Sequence, residues 1–151
     1  MTEVGPFERG TDGPRVILVG VDGSPTSLRA ASYAAGLARR QRSRLVAVFV
    51  TEAAPAMAGW VPSAQALVRD AAAEVDAELR AELARAAEQL GVDAEYRTAS
   101  GDPVAELTRI ADQVLADAVV IGASEQAGHR VVGSVAVRLV RLGRWPVTVV
   151  P

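Results

Sequence analysis

The sequence contains no cysteine and no lysine, and aromatic residues make up only 4% of its 151 residues. The absence of cysteine excludes disulfides, thiolate metal sites and cysteine nucleophiles, and it fits a reducing cytoplasm. The scarcity of aromatic side chains argues against single-stranded nucleic-acid binding, which relies on base stacking. The sequence has 16 arginines and 18 acidic residues, so its net charge is −2. We therefore expect no nucleic-acid partner.

Long hydrophobic runs are also missing from the sequence. No stretch reaches the roughly 18 uninterrupted apolar residues of a transmembrane helix, and the N-terminus lacks the basic start and apolar run of a signal peptide. We therefore expect a cytoplasmic protein without a membrane partner. Residues 1–14 are rich in glycine, proline and polar side chains, which predicts a disordered leader before a single domain at 15–151.

The apolar residues follow two alternating patterns, one typical of strands and one of helices. Short runs rich in β-branched residues predict buried strands, and a more polar, alternating segment at 92–100 predicts an edge strand. The buried strands are expected at 15–21, 45–50, 118–122 and 146–150.

Four segments between these strands have apolar residues at helical spacing. The first and third helices are expected to begin with a capping residue followed by proline, at Ser24-Pro25 and Asp102-Pro103. A second helix follows the apolar face from Val68 to Leu90, and Ser134 is expected to cap the last helix. Residues 51–65 form a long connection, which predicts either a mobile lid or a spacer.

Strands that alternate with helices predict a single-domain α/β three-layer sandwich: a five-stranded parallel sheet with helices on both faces. With a strand order of 3-2-1-4-5, the first and fourth strands flank the reversal of winding, where open parallel sheets bind ligands. Asp22 and Gly122 would then face each other across a crevice.

The segment 122–134, GASEQAGHRVVGS, leads from a strand through a polar loop into a helix. The free N–H groups of a helix start suit a phosphate, but local features alone favour Gly133 and Ser134 as only a turn and a cap. Asp22 has the same two interpretations, because it could accept hydrogen bonds from a ribose or a base, or only brace the Asp-Gly turn.

Three blocks of the sequence resemble the universal stress protein family and together cover nearly all of residues 15–151. They are VILVGVDGSPTSLRAASYAAGLA, SGDPVAELTRIADQVLADAVVIGAS and VVGSVAVRLVRLGRWPVTVVP. The resemblance implies five parallel strands, a dimer formed through the last strand and, in one branch, an ATP site. By this resemblance Asp22 matches the acid that contacts base or ribose, and Val50 matches an adenine-contacting position. The phosphate-loop positions correspond to Gly122, Gly133 and Ser134.

The ATP motif of that branch is glycine, two residues, glycine, nine residues, glycine, then serine or threonine, and this sequence departs from it twice. Glu125 stands at the second glycine, and ten residues rather than twelve separate Gly122 from Gly133. A carboxylate there repels a triphosphate by about 1 kcal/mol or more. The shortened form resembles the family's branch that does not bind ATP, so we expect no tight ATP binding.

The sequence marks no catalytic group. His129 is the only histidine, and the motifs of hydrolases, P-loop proteins and dinucleotide-binding proteins are absent. No metal site is expected. Arg39, Arg40, Arg42 and Arg44 are expected to complement a helix dipole, and Arg138, Arg141 and Arg144 to form a solvated stripe.

We therefore expect a non-enzymatic stress-response or regulatory interaction module with a degenerate nucleotide crevice. Its apolar fifth strand should pair with a second copy in a homodimer. The alternative is a switch that binds ATP or another adenine nucleotide in the same crevice, with Gly128 replacing the missing glycine. A third possibility is slow ATP hydrolysis, with Asp22 or Glu125 positioning the water.

Overall fold

The alternating patterns of the sequence form a five-stranded sheet and four helices in a computed structural model that describes residues 13–52, 62–125 and 132–151. The strands are β1 (Val16–Val21), β2 (Arg44–Thr51), β3 (Ala94–Ser100), β4 (Ala118–Gly122) and β5 (Val147–Val150). The helices are α1 (Pro25–Gln41), α2 (Pro62–Leu90), α3 (Pro103–Val114) and α4 (Ser134–Leu142).

The strand order in the sheet is β3-β2-β1-β4-β5, and every neighbouring pair is parallel. The predicted fold class and strand order are therefore confirmed. β1 lies in the centre, with Val16 opposite Arg44 of β2 and Ile17 opposite Ala118 of β4. Because β1 has neighbours on both edges and helices on both faces, its sequence is a continuous apolar run.

Alternate residues of each strand point to opposite faces of the sheet and fill two cores. Ile17 and Val19 of β1 pack with the alanines of α1 and with Leu79 of α2. Leu18 packs on the other face with residues of α3 and α4, including Leu107 and Leu139. The sheet is therefore covered by α1 and α2 on one face and by α3 and α4 on the other.

The helix starts agree with the sequence at two places and differ at a third. The Ser24 hydroxyl accepts a hydrogen bond from the N–H of Ser27 at 3.2 Å, and the Asp102 carboxylate accepts one from the N–H of Ala105 at 2.9 Å. The expectation that Ser134 caps α4 is wrong. Gly133 occupies the cap position in an extended conformation without a side-chain cap, and Ser134 is the first helical residue.

Helix α2 begins at Pro62, so the connection predicted at 51–65 is too long. Residues 53–61 lie outside the described part of the chain, and a lid or a spacer there stays a prediction. Val68, the first residue of the predicted apolar face, is exposed rather than buried, with 45% of its surface accessible. None of the helices in the described ranges is long and apolar enough to cross a membrane.

The start of β1 is anchored by side chains from other parts of the fold. The Asp117 carboxylate accepts hydrogen bonds from the N–H groups of Arg15 at 2.8 Å and Val16 at 3.0 Å. The hydroxyl of Ser43 donates to the carbonyl of Pro14. Residues 1–12 of the predicted leader lie outside the described part of the chain.

Two of the three arginines expected to form a solvated stripe are exposed, and each also pairs with a carboxylate of α3 or its cap. Arg138 makes a bidentate ion pair with Asp102, with distances of 2.9 and 3.0 Å. Arg144 pairs in the same way with Asp112 and also lies over the ring of Trp145, 4.8 Å from its centroid. These pairs connect the beginning and the end of α3 to α4 and the residues that follow it.

Candidate functional site

A cavity of about 380 Å³ opens at the carboxyl ends of β1 and β4. The strand order reverses there, because β1 leads through α1 to β2 on one side and β3 leads through α3 to β4 on the other. Five of the six predicted binding residues line this cavity, namely Asp22, Val50, Gly122, Gly133 and Ser134. The sixth, Gly128, lies outside the described residues. The structure brings the five together, and their roles in binding stay predictions.

Asp22 braces the turn between β1 and α1. Its Oδ1 accepts a hydrogen bond from the N–H of Ser24 at 2.8 Å, and its own N–H donates to the hydroxyl of Ser27 at 3.2 Å. Partial burial raises the pKa of the carboxyl. Hydrogen bonds with Ser24 and Ser27 together lower the pKa by more than burial raises it, so the pKa of Asp22 lies below its ordinary value. The group is therefore charged at neutral pH. Because Oδ1 accepts the bond from Ser24, Oδ2 is the oxygen that can accept from a ligand.

Gly122 ends β4 directly beside the first turn of α1. A Cβ at this position would fall within 2.7 Å of the backbone of Thr26 and Ser27. Only glycine permits this approach. A packing constraint inside the protein therefore explains this glycine without any ligand.

The first turn of α4 borders the opposite side of the cavity. Gly133, Ser134, Val135 and Ala136 all line it, and no side-chain cap engages the N–H groups of this turn. Such N–H groups carry the positive end of the helix dipole and can bind an anionic ligand. The base of the connecting loop is tight, because a Cβ on Gly133 would lie 2.9 Å from the Cβ of Ser124.

Three carboxylates line the cavity. They belong to Asp22, Glu52 and Glu125, and the lining in the described ranges contains no arginine. Glu125, at the second glycine of the motif, forms an ion pair with Arg29 of α1 at 3.3 Å. Arg29 also donates its Nε–H to the carbonyl oxygen of Pro151 at 2.9 Å. The arginine thus joins α1, the end of β4 and the residue after β5.

Sequence reasoning missed Arg29, whose ion pair spans 96 positions. Only its location one turn beyond the start of α1 could have indicated that it lies near the crevice, because the starts of α1 and α4 flank the same strand ends. No group of three acidic or histidine side chains that could hold a metal ion occurs in the described ranges. His129 and Arg130 lie outside those ranges.

Residues 14–151 match the model of the universal stress protein family. The chain belongs to this family. A universal stress protein of Methanocaldococcus jannaschii is 28% identical over 136 residues, which are 89% of this chain and 80% of that protein.

Solved structures of universal stress proteins share the fold of this chain. One from Burkholderia pseudomallei is 29% identical, with a TM-score of 0.74, and the match covers 91% of this chain and 96% of that one. Another, described as a universal stress protein in complex with cAMP, is 28% identical, with a TM-score of 0.65 and coverage of 91% and 97%. These matches confirm the resemblance of the sequence to the universal stress protein family.

Proposed function

We propose that this universal stress protein is a non-enzymatic regulatory module whose crevice between β1 and β4 is a degenerate nucleotide site. The observation that carries the proposal is the meeting of Asp22, Val50 and the uncapped first turn of α4 in one cavity. The carboxylate can hold a ribose or base, and the N–H groups of the turn can hold a phosphate. The 28% identical protein solved with cAMP supports an adenine nucleotide as the ligand class.

The chemistry around the crevice supports binding rather than catalysis. Phosphoryl transfer needs cations or a metal ion against the developing charge and a group that positions the attacking water. In the described ranges the cavity lining offers three carboxylates, and no cluster of three metal-binding side chains occurs. Apart from the N–H groups of the first turn of α4, the described lining offers no positive charge to a phosphate.

One observation favours the alternative, an ATP-bound switch. The ion pair between Glu125 and Arg29 offsets the charge of the carboxylate that occupies the second glycine position of the ATP motif. ATP binding would then depend on the two-residue shortening of the loop rather than on charge.

Thermal unfolding with cAMP, AMP or ATP and Mg²⁺ tests both functions. A ligand at 100 times its Kd stabilises the native state by about 2.7 kcal/mol. We expect an increase in Tm with cAMP or AMP and none with millimolar ATP. The increase should be lost in Asp22→Ala and kept in Asp70→Ala, a matched change on the exposed side of α2.

Each other outcome identifies a different function. An increase with ATP alone would establish the switch, and no increase with any nucleotide would refute the nucleotide site. Phosphate release above background that is lost in Asp22→Ala would establish an enzyme.

We also propose that the protein is a homodimer joined through β5 and that it acts in the cytoplasm. β5 is an edge strand of the sheet, and Val140 and Leu142 at the end of α4 are exposed apolar residues. An apolar edge strand can pair with a second copy, which removes its unpaired backbone groups from water. The absence of cysteine fits a reducing compartment.

A further inference from the structure

Two arginines are each paired with a carboxylate that lines the cavity or directly precedes a lining residue. Arg29 of α1 pairs with Glu125, and Arg138 of α4 pairs with Asp102, the cap of α3. Glu125 itself lines the cavity. In the described part of the chain, these two arginines are therefore already engaged by carboxylates of the protein.

Arg29 is held in place by a second contact. Its Nε donates to the carbonyl oxygen of Pro151 at 2.9 Å, while its Nη2 lies 3.3 Å from Oε1 of Glu125. The guanidinium thus lies one contact away from the cavity lining. An anion that replaced the Glu125 carboxylate would find Arg29 already oriented, because the bond to Pro151 does not depend on Glu125.

The free-energy cost of replacing the Glu125 carboxylate at Arg29 depends on the number of phosphates in the ligand. A single phosphate can bind to the N–H groups of the first turn of α4 without disturbing the pair. A longer phosphate chain would either face the Glu125 carboxylate or displace it from Arg29 and leave it unpaired. Each further negative charge on the ligand increases this repulsion.

We propose that Glu125 is an internal anion that occupies Arg29 and restricts the crevice to adenine ligands with no more than one phosphate. This inference rests on the proposed nucleotide site and assigns its specificity to one ion pair. Arg29 is the residue that would receive the additional phosphates once the carboxylate is removed.

The test measures Kd for AMP and for ATP with Mg²⁺ by titration calorimetry in the wild type and in Glu125→Gln. We expect Glu125→Gln to tighten ATP binding about tenfold, which corresponds to ~1.4 kcal/mol, and to change AMP binding less than threefold. The double variant Glu125→Gln with Arg29→Ala should lose the gain. Asp112→Asn is the matched control. It removes the carboxylate from another arginine–carboxylate pair, Arg144 with Asp112 near the end of α3, and should change neither Kd.

Three results would overturn the inference, and they are distinguishable from failure of the nucleotide site. Equal effects of Glu125→Gln on the Kd values of AMP and ATP would show that Glu125 does not distinguish ligands by their number of phosphates. A gain that persists without Arg29 would exclude Arg29 as the receiving group. Wild type that binds ATP as tightly as AMP would exclude the restriction, whereas absence of all AMP and ATP binding would refute the nucleotide site and the inference together.

Discussion

Gly122 at the end of β4 lies directly against Thr26 in the first turn of α1. A Cβ on Gly122 would be 2.6 Å from the carbonyl carbon of Thr26 and 2.7 Å from its oxygen. Both neighbours are backbone atoms, which cannot rotate away as a side chain can. The glycine that the family resemblance assigns to a phosphate loop is thus also required for packing of α1 on the sheet.

We expect Gly122→Ala to destabilise the protein by about 2–3 kcal/mol, because the added methyl group overpacks a rigid contact. Gly36→Ala is the matched control. Gly36 lies inside α1, where a Cβ would meet only the end of the Arg40 side chain at 3.5 Å, so alanine should stabilise the helix by about 0.5–1 kcal/mol. Urea unfolding of the two variants measures both changes, and effects of the same sign would contradict the contact at Gly122.

Asp102 makes stability depend on pH. The Arg138 guanidinium and the N–H of Ala105 hold the pKa of this carboxyl below its ordinary value of 3.8. A lowered native-state pKa adds stability that is fully present above the ordinary value and is lost as the pH falls through the native-state value. At neutral pH we therefore expect Asp102→Asn to unfold at lower urea concentration than the wild type.

The difference between the wild type and Asp102→Asn should shrink as the pH is lowered below 3.8. Asp70→Asn, an exposed change on α2, is the control and should unfold at the same urea concentration as the wild type at neutral pH. A difference between wild type and Asp102→Asn that is constant from neutral to acid pH would show that the charge of Asp102 plays no part.

Tyr96 connects β3 to α2. Its hydroxyl donates to Oδ1 of Asp76 at 2.8 Å, and the Arg80 guanidinium lies 4.7 Å above its ring. Burial and the Asp76 carboxylate raise the pKa of the phenol, so the hydroxyl keeps its proton and remains a donor. We expect Tyr96→Phe to cost about 1–2 kcal/mol in urea unfolding, because the lost hydrogen bond is made to a charged acceptor.

Tyr33→Phe is the control for this change, because Tyr33 is exposed on α1. Its effect on the free energy of unfolding should lie within about 0.5 kcal/mol of zero. A Tyr96→Phe variant as stable as Tyr33→Phe would mean that the Asp76 contact contributes nothing to the attachment of α2.

The proposed dimer predicts a particular effect of proline in β5. The carbonyls of Pro146 and Val150 face β4, so by the period of two the N–H of Val149 faces the free edge. Val149→Pro removes this donor and should convert a dimer into a folded monomer, whereas Val149→Ala keeps the donor and should stay dimeric. Light scattering with size exclusion measures the mass, and a wild type that is monomeric at micromolar concentration would refute the dimer.

The periodicity of the sequence was sufficient for the sheet because burial on both faces leaves a direct signature. VILVGV and AVVIG are apolar throughout, whereas the edge segment at 92–100 alternates. The strand order was assumed rather than derived, because the pattern of a strand does not name its neighbours in the sheet. The start of α2 could not be found in this way. In its first turns Leu67 and Val68 are exposed, so these apolar residues do not mark a buried helix face.

The candidate site was predictable in its location but not in its electrostatics. Strand ends can be read from local patterns, and they place Asp22 and Gly122 at one cavity. The partner of Glu125 is 96 positions away, and the partner of Arg138 is 36 positions away. No local pattern of residues encodes such pairs, because they depend on how distant helices and loop residues are placed relative to one another in the fold.

The hydrogen bond from Arg29 to Pro151 has a practical consequence. Any peptide fused after Pro151, such as an affinity tag, would begin beside the guanidinium that holds Glu125 and next to the edge strand β5. An acidic fusion at this position would compete with Glu125 for Arg29. Recombinant protein for such measurements should therefore carry its tag before residue 13 or have it cleaved off.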